Sequence, residues 1–215
     1  PTASHTREWI SDVMRGREPG SLTLIATDGE TFGHHYAQGV EVLKELTTPS
    51  PSEPYEIVTL AAYLHRQPPF AEIEIVENSA WSCAHHLGRW ATGCACTPGE
   101  GYWKGALRRA LDNLSHDIDG VYADVTRRQY LAPWRLRDEY ISVLLGQTDP
   151  RTFLAKRYLG HLSLVAQQQI LHLLEAQVYR QRMFVSCAFF FEDLERIEAH
   201  YAIASAVQAI ALVYY

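Results

Sequence analysis

Lysine and arginine form no long run in this 215-residue chain, and its 19 basic residues are outnumbered by 25 acidic ones, for a formal charge of −6. A nucleic-acid surface has a basic footprint, so this balance argues against DNA, RNA or another anionic polymer as a partner. No apolar stretch stands out at the roughly 20 residues a membrane-spanning helix needs. The opening PTASHTREW lacks the charged-then-apolar layout of a signal peptide. A cytoplasmic protein without a membrane partner is therefore expected. Cysteine is scarce too: Cys83, Cys94, Cys96 and Cys187 are too few and too unevenly spread to frame a domain of this size with disulfides. Internal repeats and low-complexity tracts are absent. What remains is near-average composition, 47% hydrophobic and 20% charged, enough to bury a core.

The apolar spacing predicts a short amphipathic helix over 6–15, ended by Gly16, Pro19 and Gly20, and then a buried strand over 21–27 (SLTLIAT). That strand runs into Asp28-Gly29-Glu30, and a helical pattern follows over 32–46. Such a strand–loop–helix unit is the building block of an α/β barrel or an open sheet. A second helix is expected over 57–65, before Pro68-Pro69, and AEIEIVE at 71–77 alternates like a half-exposed strand or an extended segment. From Trp103 to Tyr215 the spacing is helical almost throughout, which predicts a helical bundle without a sheet.

Two stretches carry chemistry. In TDGETFGHH, residues 27–35, Asp28, Glu30, His34 and His35 lie just past the end of the expected strand, where α/β folds present ligand-binding groups. The same carboxylates can instead cap the helix that follows. The second stretch, 77–96, supplies Cys83, His85, His86, Cys94 and Cys96 among Trp81 and Trp90. Tetrahedral zinc needs four donors, and Cys83, His85, Cys94 and Cys96 can provide them, though the Cys-x-His and Cys-x-Cys steps are tighter than the common spacings. Reduced thiols beside a substrate cleft and a disulfide remain open as alternatives. The aromatic rings Trp81, Trp90, Tyr102 and Trp103 suit either the C–H face of a sugar or a protein core.

TDGETFGHH resembles the fourth signature motif of glycoside hydrolase family 57, in which the aspartate after the strand is the general acid/base. That resemblance assigns the catalytic role to Asp28, with Glu30 beside it and His34 or His35 as substrate-side neighbours, and fades after His35, where this chain has YAQGV. The Ser-Cys-Ala-His run at 82–85, the Arg-Trp at 89–90 and the Cys-Ala-Cys at 94–96 resemble the start of domain of unknown function 3536, which follows the family 57-like barrel in certain bacterial proteins. His86 and Ala95 stand here where that pattern usually has glycine. The late segments 173–177 and 183–193 resemble the same domain, and Phe189 is expected either to line a sugar subsite with Trp81, His85 and Trp90 or to be a buried helix contact.

The resemblance implies a mainly α chain, with residues 1–76 as the terminal strand/helix unit of an incomplete (β/α)7 barrel and 77–215 as a helical C-terminal domain. It implies part of a retaining α-glucan-active hydrolase or transglycosylase that needs no cofactor for its chemistry, with zinc as a structural candidate. Retaining cleavage needs two carboxyl groups about 5–5.5 Å apart, and Asp28 can be only one of them. The family's nucleophilic glutamate comes from an earlier strand, and its early His-Gln-Pro motif is not supplied by HRQPPF at 65–70, which follows Asp28 and carries an inserted residue. The nucleophile is therefore expected outside this chain, in an upstream barrel segment or an oligomer partner, and the 215 residues alone are expected to be inactive. The alternatives are a non-catalytic carbohydrate-binding or assembly module, and a zinc-supported enzyme of another class using His34, His35 and the Cys cluster.

Overall fold

The structure, a computed structural model, describes residues 2–96, 99–157 and 162–214. It divides into two compact units, Pro1–Glu74 and Ile75–Tyr215.

The first unit holds three helices: α1 (Ala3–Met14), α2 (Gly39–Thr47) and α3 (Leu60–Arg66). Thr2 starts α1 by accepting the His5 N–H on its side chain, and Thr59 does the same for Ala62 at the head of α3, satisfying backbone donors that a helix start leaves unpaired. α1 packs on α2, with Ile10 and Leu46 buried, and the Arg7 guanidinium donates to the Glu45 and Thr48 carbonyls at the end of α2.

Residues 21–27, expected as a buried strand, form none. They take no regular structure and have no ladder partner, with Leu24 65% exposed and Leu22 and Ile25 also open to solvent. A strand exists only by its ladder to a neighbour, and the described residues contain no named strand, only one isolated bridge between Phe32 and Tyr36. The strand–loop–helix unit of a barrel is thus not formed within this unit. The helix expected from residue 32 begins only at Gly39, because 29–38 is spent on consecutive turns. Residues 71–76 are extended and exposed, without a strand partner.

In the second unit the expectation of a helical bundle holds. Its helices are α4 (Gly88–Ala91), α5 (Trp103–Arg128), α6 (Pro133–Glu139), α7 (Ile141–Leu144), α8 (Pro150–Arg157), α9 (Leu164–Arg182), α10 (Cys187–Phe190) and α11 (Ile197–Tyr214). No strand occurs among the described residues. α9 lies between α5 and α11 and packs on both.

Ile170, Leu173, Leu174 and Gln177 are buried along one face of α9, at helical spacing. The first three join Tyr122, Leu136, Tyr140, Phe153 and Leu154 in one core, while Leu111, Met183, Ala188, Phe189, Ala202 and Ala206 make a second. Each fully buried large apolar side chain contributes about 1.5–3 kcal/mol. Tyr130, with φ 60, ends α5 by reversing the chain so that the Leu131 N–H reaches the Thr126 carbonyl at 3.1 Å, and Tyr122 Oη then donates to the Pro133 carbonyl at 2.6 Å, tying α5 to α6. Asp119 on α5 accepts from Arg180 and Gln177 on α9.

One sequence expectation needs correction here. α11, 18 residues with a mean hydropathy of 1.3, is long and apolar enough to cross a membrane by length and composition. Its Ala199, Ala202, Ser205, Ala206 and Ala209 are buried against the bundle, whereas Ile203, Val207 and Ile210 remain exposed on the rest of its surface. The helix is apolar on more than the face that the bundle uses.

Candidate metal centre and the aspartate turn

The chain enters the second unit through a segment too short of periodicity to form a long helix. Two residues here take left-handed backbone: Asn78 (φ 55) and His86 (φ 58). A side chain at such a φ is strained, and His86 occupies the position where the resembled pattern carries glycine. The reversal at His86 sets the Gly88 N–H on the His85 carbonyl at 3.0 Å and starts α4. Past α4, Gly93 (φ 84) turns the chain back. A Cβ there would lie 2.9 Å from the Gly101 carbonyl oxygen, so only glycine allows this close approach.

The short helix is thereby bracketed by Cys83 and His85 before it and Cys94 and Cys96 after it. Their donor atoms converge to within 4.8 Å of one another. Cys83 Sγ stands 3.5 Å from Cys94 Sγ and 3.9 Å from Cys96 Sγ, and His85 Nδ1 stands 3.2 Å from Cys96 Sγ and 3.7 Å from Cys94 Sγ. With Zn–S near 2.3 Å and Zn–N near 2.0–2.1 Å, a regular tetrahedron has S···S edges of about 3.8 Å and S···N edges of about 3.6 Å. The four donors thus already have nearly the spacing of a tetrahedral coordination shell, and the cluster can hold a metal ion. All four cysteines are free thiols. The four candidate ligands come together, and the Asp28 turn belongs to the first unit.

The electrostatics favour a thiolate at the centre of the cluster. Burial opposes ionisation of Cys83, but N–H groups of Arg89 and His85 and the thiols of Cys94 and Cys96 more than offset it, and its pKa falls to about 6. Cys96 is pushed the other way, to about 11, by its hydrogen bond with Cys94, by burial and by Cys83. The Cys83 thiol is therefore more readily ionised than the Cys96 thiol.

Beyond the sulfurs, α4 is fastened to the bundle by a buried ion pair. Lys104, 0% exposed, donates to the Arg89 carbonyl at 3.1 Å and to Glu192 Oε1 at 2.8 Å, and the Trp103 indole donates to the Glu192 carbonyl at 2.7 Å. A Cβ at Gly101 would collide with Glu192 Oε2, so the carboxylate rests against bare backbone. This anchor is absent from the sequence reading, although a signal existed. Lys104 occupies the position that Leu107, Leu111, Leu114 and Ile118 continue at helical spacing, so a lysine stands where the core face begins.

On α4 itself, Arg89 is buried with its guanidinium carbon 4.5 Å from the Phe190 ring centroid. Arg89 Nε and Trp90 Nε1 are buried without a hydrogen-bond acceptor among the described residues. Each such unmet donor costs on the order of 1–3 kcal/mol.

In the first unit, residues 28–36 form a compact turn. The Asp28 carbonyl accepts from the Thr31 N–H at 3.0 Å, and the Glu30 carbonyl accepts from His34 and His35. Glu30 Oε2 lies 3.7 Å from His35 Nε2, and the two imidazoles meet edge to face at 5.0 Å. Asp28, Glu30, His34 and His35 are all exposed. The turn thus gathers the predicted carboxylates and imidazoles on a solvent-facing loop, and α2 starts too late for Asp28 or Glu30 to cap it: its N-cap is Gln38, without a side-chain hydrogen bond.

Of the aromatic residues expected at a sugar, Trp81 is 85% exposed, Trp90 is half-buried against Phe190, and Phe189 is 1% exposed. Phe189 packs with Trp103 at 6.3 Å inside the second core. A ring so enclosed offers no face to a ligand, which is the buried-contact alternative and not the subsite. His85 points its Nδ1 at the thiols, so that edge serves the cluster.

A family model described as domain of unknown function (DUF3536) matches residues 100–214. No curated protein and no solved structure matches the chain.

Proposed function

The chain belongs to the DUF3536 family, and from that premise we propose that it is part of a retaining, α-glucan-active glycoside hydrolase or transglycosylase of the family 57 type, its helical domain held at the entry by a structural zinc ion. The observation that carries the reading is the succession, in one chain, of the TDGETFGHH turn and a DUF3536 domain, the order in which a family 57-like barrel precedes that domain.

In this reading residues 21–27 are the last strand of an incomplete (β/α)7 barrel. Their exposed Leu22, Leu24 and Ile25 supply the apolar edge that a neighbouring strand would cover. Asp28, exposed at the tip of its turn, has room to approach a glycosidic oxygen. It protonates the leaving group and then, as a carboxylate, withdraws a proton from the incoming water. A glutamate outside this chain, about 5–5.5 Å away, attacks the anomeric carbon. Glu30 braces His35 and keeps the turn closed, and exposed Trp81 offers a ring face of the kind that stacks on a sugar.

Zinc would be held by Cys83, His85, Cys94 and Cys96. With four protein ligands it supplies a structural cross-link. The ligands bracket α4, whose Arg89 carbonyl receives buried Lys104, so fixing them also fixes the junction of α4, α5 and α10. A cytoplasmic setting suits such a thiolate site, since a reducing compartment keeps its cysteines from pairing. With its alanine face packed in the bundle, α11 serves as a core helix in this reading.

The test uses a polypeptide that includes the upstream barrel. Asp28→Asn is expected to keep the melting temperature and metal content while lowering turnover of an α-glucan by several orders of magnitude. Glycosides with good leaving groups lose less in the first step, because they need little protonation. Undiminished turnover would remove Asp28 from catalysis, and no turnover of any α-glucoside by the unaltered polypeptide would remove the glycosidase reading.

A further inference from the structure

We propose that Arg89 and Trp90 form a binding site for a carboxylate, independent of the glycosidase reading. Arg89 is 7% exposed, and no ion pair to it occurs among the described residues. Its guanidinium carbon lies 4.5 Å from the Phe190 ring centroid and 6.0 Å from that of Trp90, so it is held against two rings. Those ring faces attract the cation but accept no N–H hydrogen bond of ordinary strength. Arg89 Nε and Trp90 Nε1 are both buried and both without an acceptor among the described residues. The nearby buried cation, Lys104, already has the Glu192 carboxylate at 2.8 Å.

Among the described residues, therefore, the Arg89 guanidinium has no ion-pair partner and two N–H donors from adjacent residues have no acceptor. A planar anion with two oxygens and a single negative charge answers both, with one oxygen toward the guanidinium and the other toward the indole. A phosphate dianion fits less well, since its second charge would enter a site walled by Phe190 and Trp90 with no cation left to meet it. The carboxylate can come from a small acid, such as a uronic acid, or from an Asp or Glu side chain of another polypeptide segment.

The experiment follows the Arg89 Nε–H and Trp90 Nε1–H resonances of the 15N-labelled full chain. It titrates sodium glucuronate, a short glutamate-containing peptide with blocked termini and, as the ionic-strength control, sodium chloride. The proposal expects both resonances to move together and saturate with glucuronate, with the peptide or with both, but not with chloride. A response to glucuronate alone identifies a small acid, and one to the peptide alone identifies a polypeptide carboxylate. Trp90→Phe, which removes the N–H donor together with part of the ring, is expected to weaken binding about tenfold. Arg89→Lys, which keeps the charge but loses the planar fork, should weaken it at least as much, and it keeps the test alive if Trp90→Phe fails to fold. Absence of a saturable response to either carboxylate, or binding that both variants leave unchanged, would overturn the proposal and leave these donors to water.

Discussion

The two units solve the same problem with unequal means. In Ile75–Tyr215 the long helices α5, α9 and α11 bury two clusters of large side chains and even enclose an ammonium and its carboxylate. In Pro1–Glu74 the buried apolar side chains are Ala3, Ile10 and Leu46, while Leu22, Leu24, Ile25 and Ile73 stand in water. The difference teaches where stability and function are separated. One unit carries its own core and a Cys/His cluster that could hold a metal ion; the other displays carboxylates and imidazoles on a turn that follows exposed apolar residues.

The contrast can be broken most severely at the buried ion pair. Lys104→Met removes the ammonium from beside the enclosed Glu192 carboxylate, and breaking such a pair costs about 3–5 kcal/mol. Chemical denaturation should register a loss of that order, and a loss below about 1 kcal/mol would mean that the pair is solvated as surface pairs are. A matched pair of truncations sharpens the comparison. Leu173→Ala in the bundle should cost about 2–5 kcal/mol, whereas Leu24→Ala in the first unit should stay within about 0.5 kcal/mol. Equal costs would abolish the distinction between the units.

A smaller effect of opposite sign is expected at His86, whose φ of 58 stores strain. His86→Gly should raise stability by up to about 1 kcal/mol, because glycine adopts that backbone without a Cβ clash, less its greater freedom when unfolded. Acidification tests the cluster in the same unit. The Cys83 pKa is lowered from 9.0 to about 6, so its thiolate stabilises the folded, metal-binding state above the unfolded value, and this contribution is lost as pH falls through about 6. Zinc affinity measured from pH 8 down to pH 5 should therefore fall with a marked break near pH 6. A profile with no change of slope near pH 6 would exclude Cys83 as a ligand.

Much of the bundle was legible because helical spacing is a local property. Ser163 capping α9, Pro133 opening α6 and the apolar face of α9 can all be read without knowing what they pack against. Convergence of Cys83, His85, Cys94 and Cys96 was legible for a related reason, since two close pairs flanking a short glycine-bounded segment have few ways to stay apart. The strand expected over 21–27 was not, because an apolar run states a preference for burial but does not supply the neighbour that makes a ladder. Phe189 illustrates the same limit: a ring near a motif reads equally as a subsite or as core, and only the positions of Trp103 and Leu111 decide. Lys104 lies on the apolar face of α5, but nothing local in the sequence names Glu192, 88 residues away, as its partner.

The central claim is that the entry to the helical domain is a zinc centre, and metal content measured together with thiol reactivity tests it most directly. Protein prepared under reducing conditions without chelator should carry one zinc per chain by elemental mass spectrometry. Cys83, Cys94 and Cys96 should resist a thiol reagent until a chelator is added, while exposed Cys187 reacts at once. Protein without stoichiometric metal, which takes up none on addition of zinc and whose Cys94 and Cys96 react as fast as Cys187, would contradict the account.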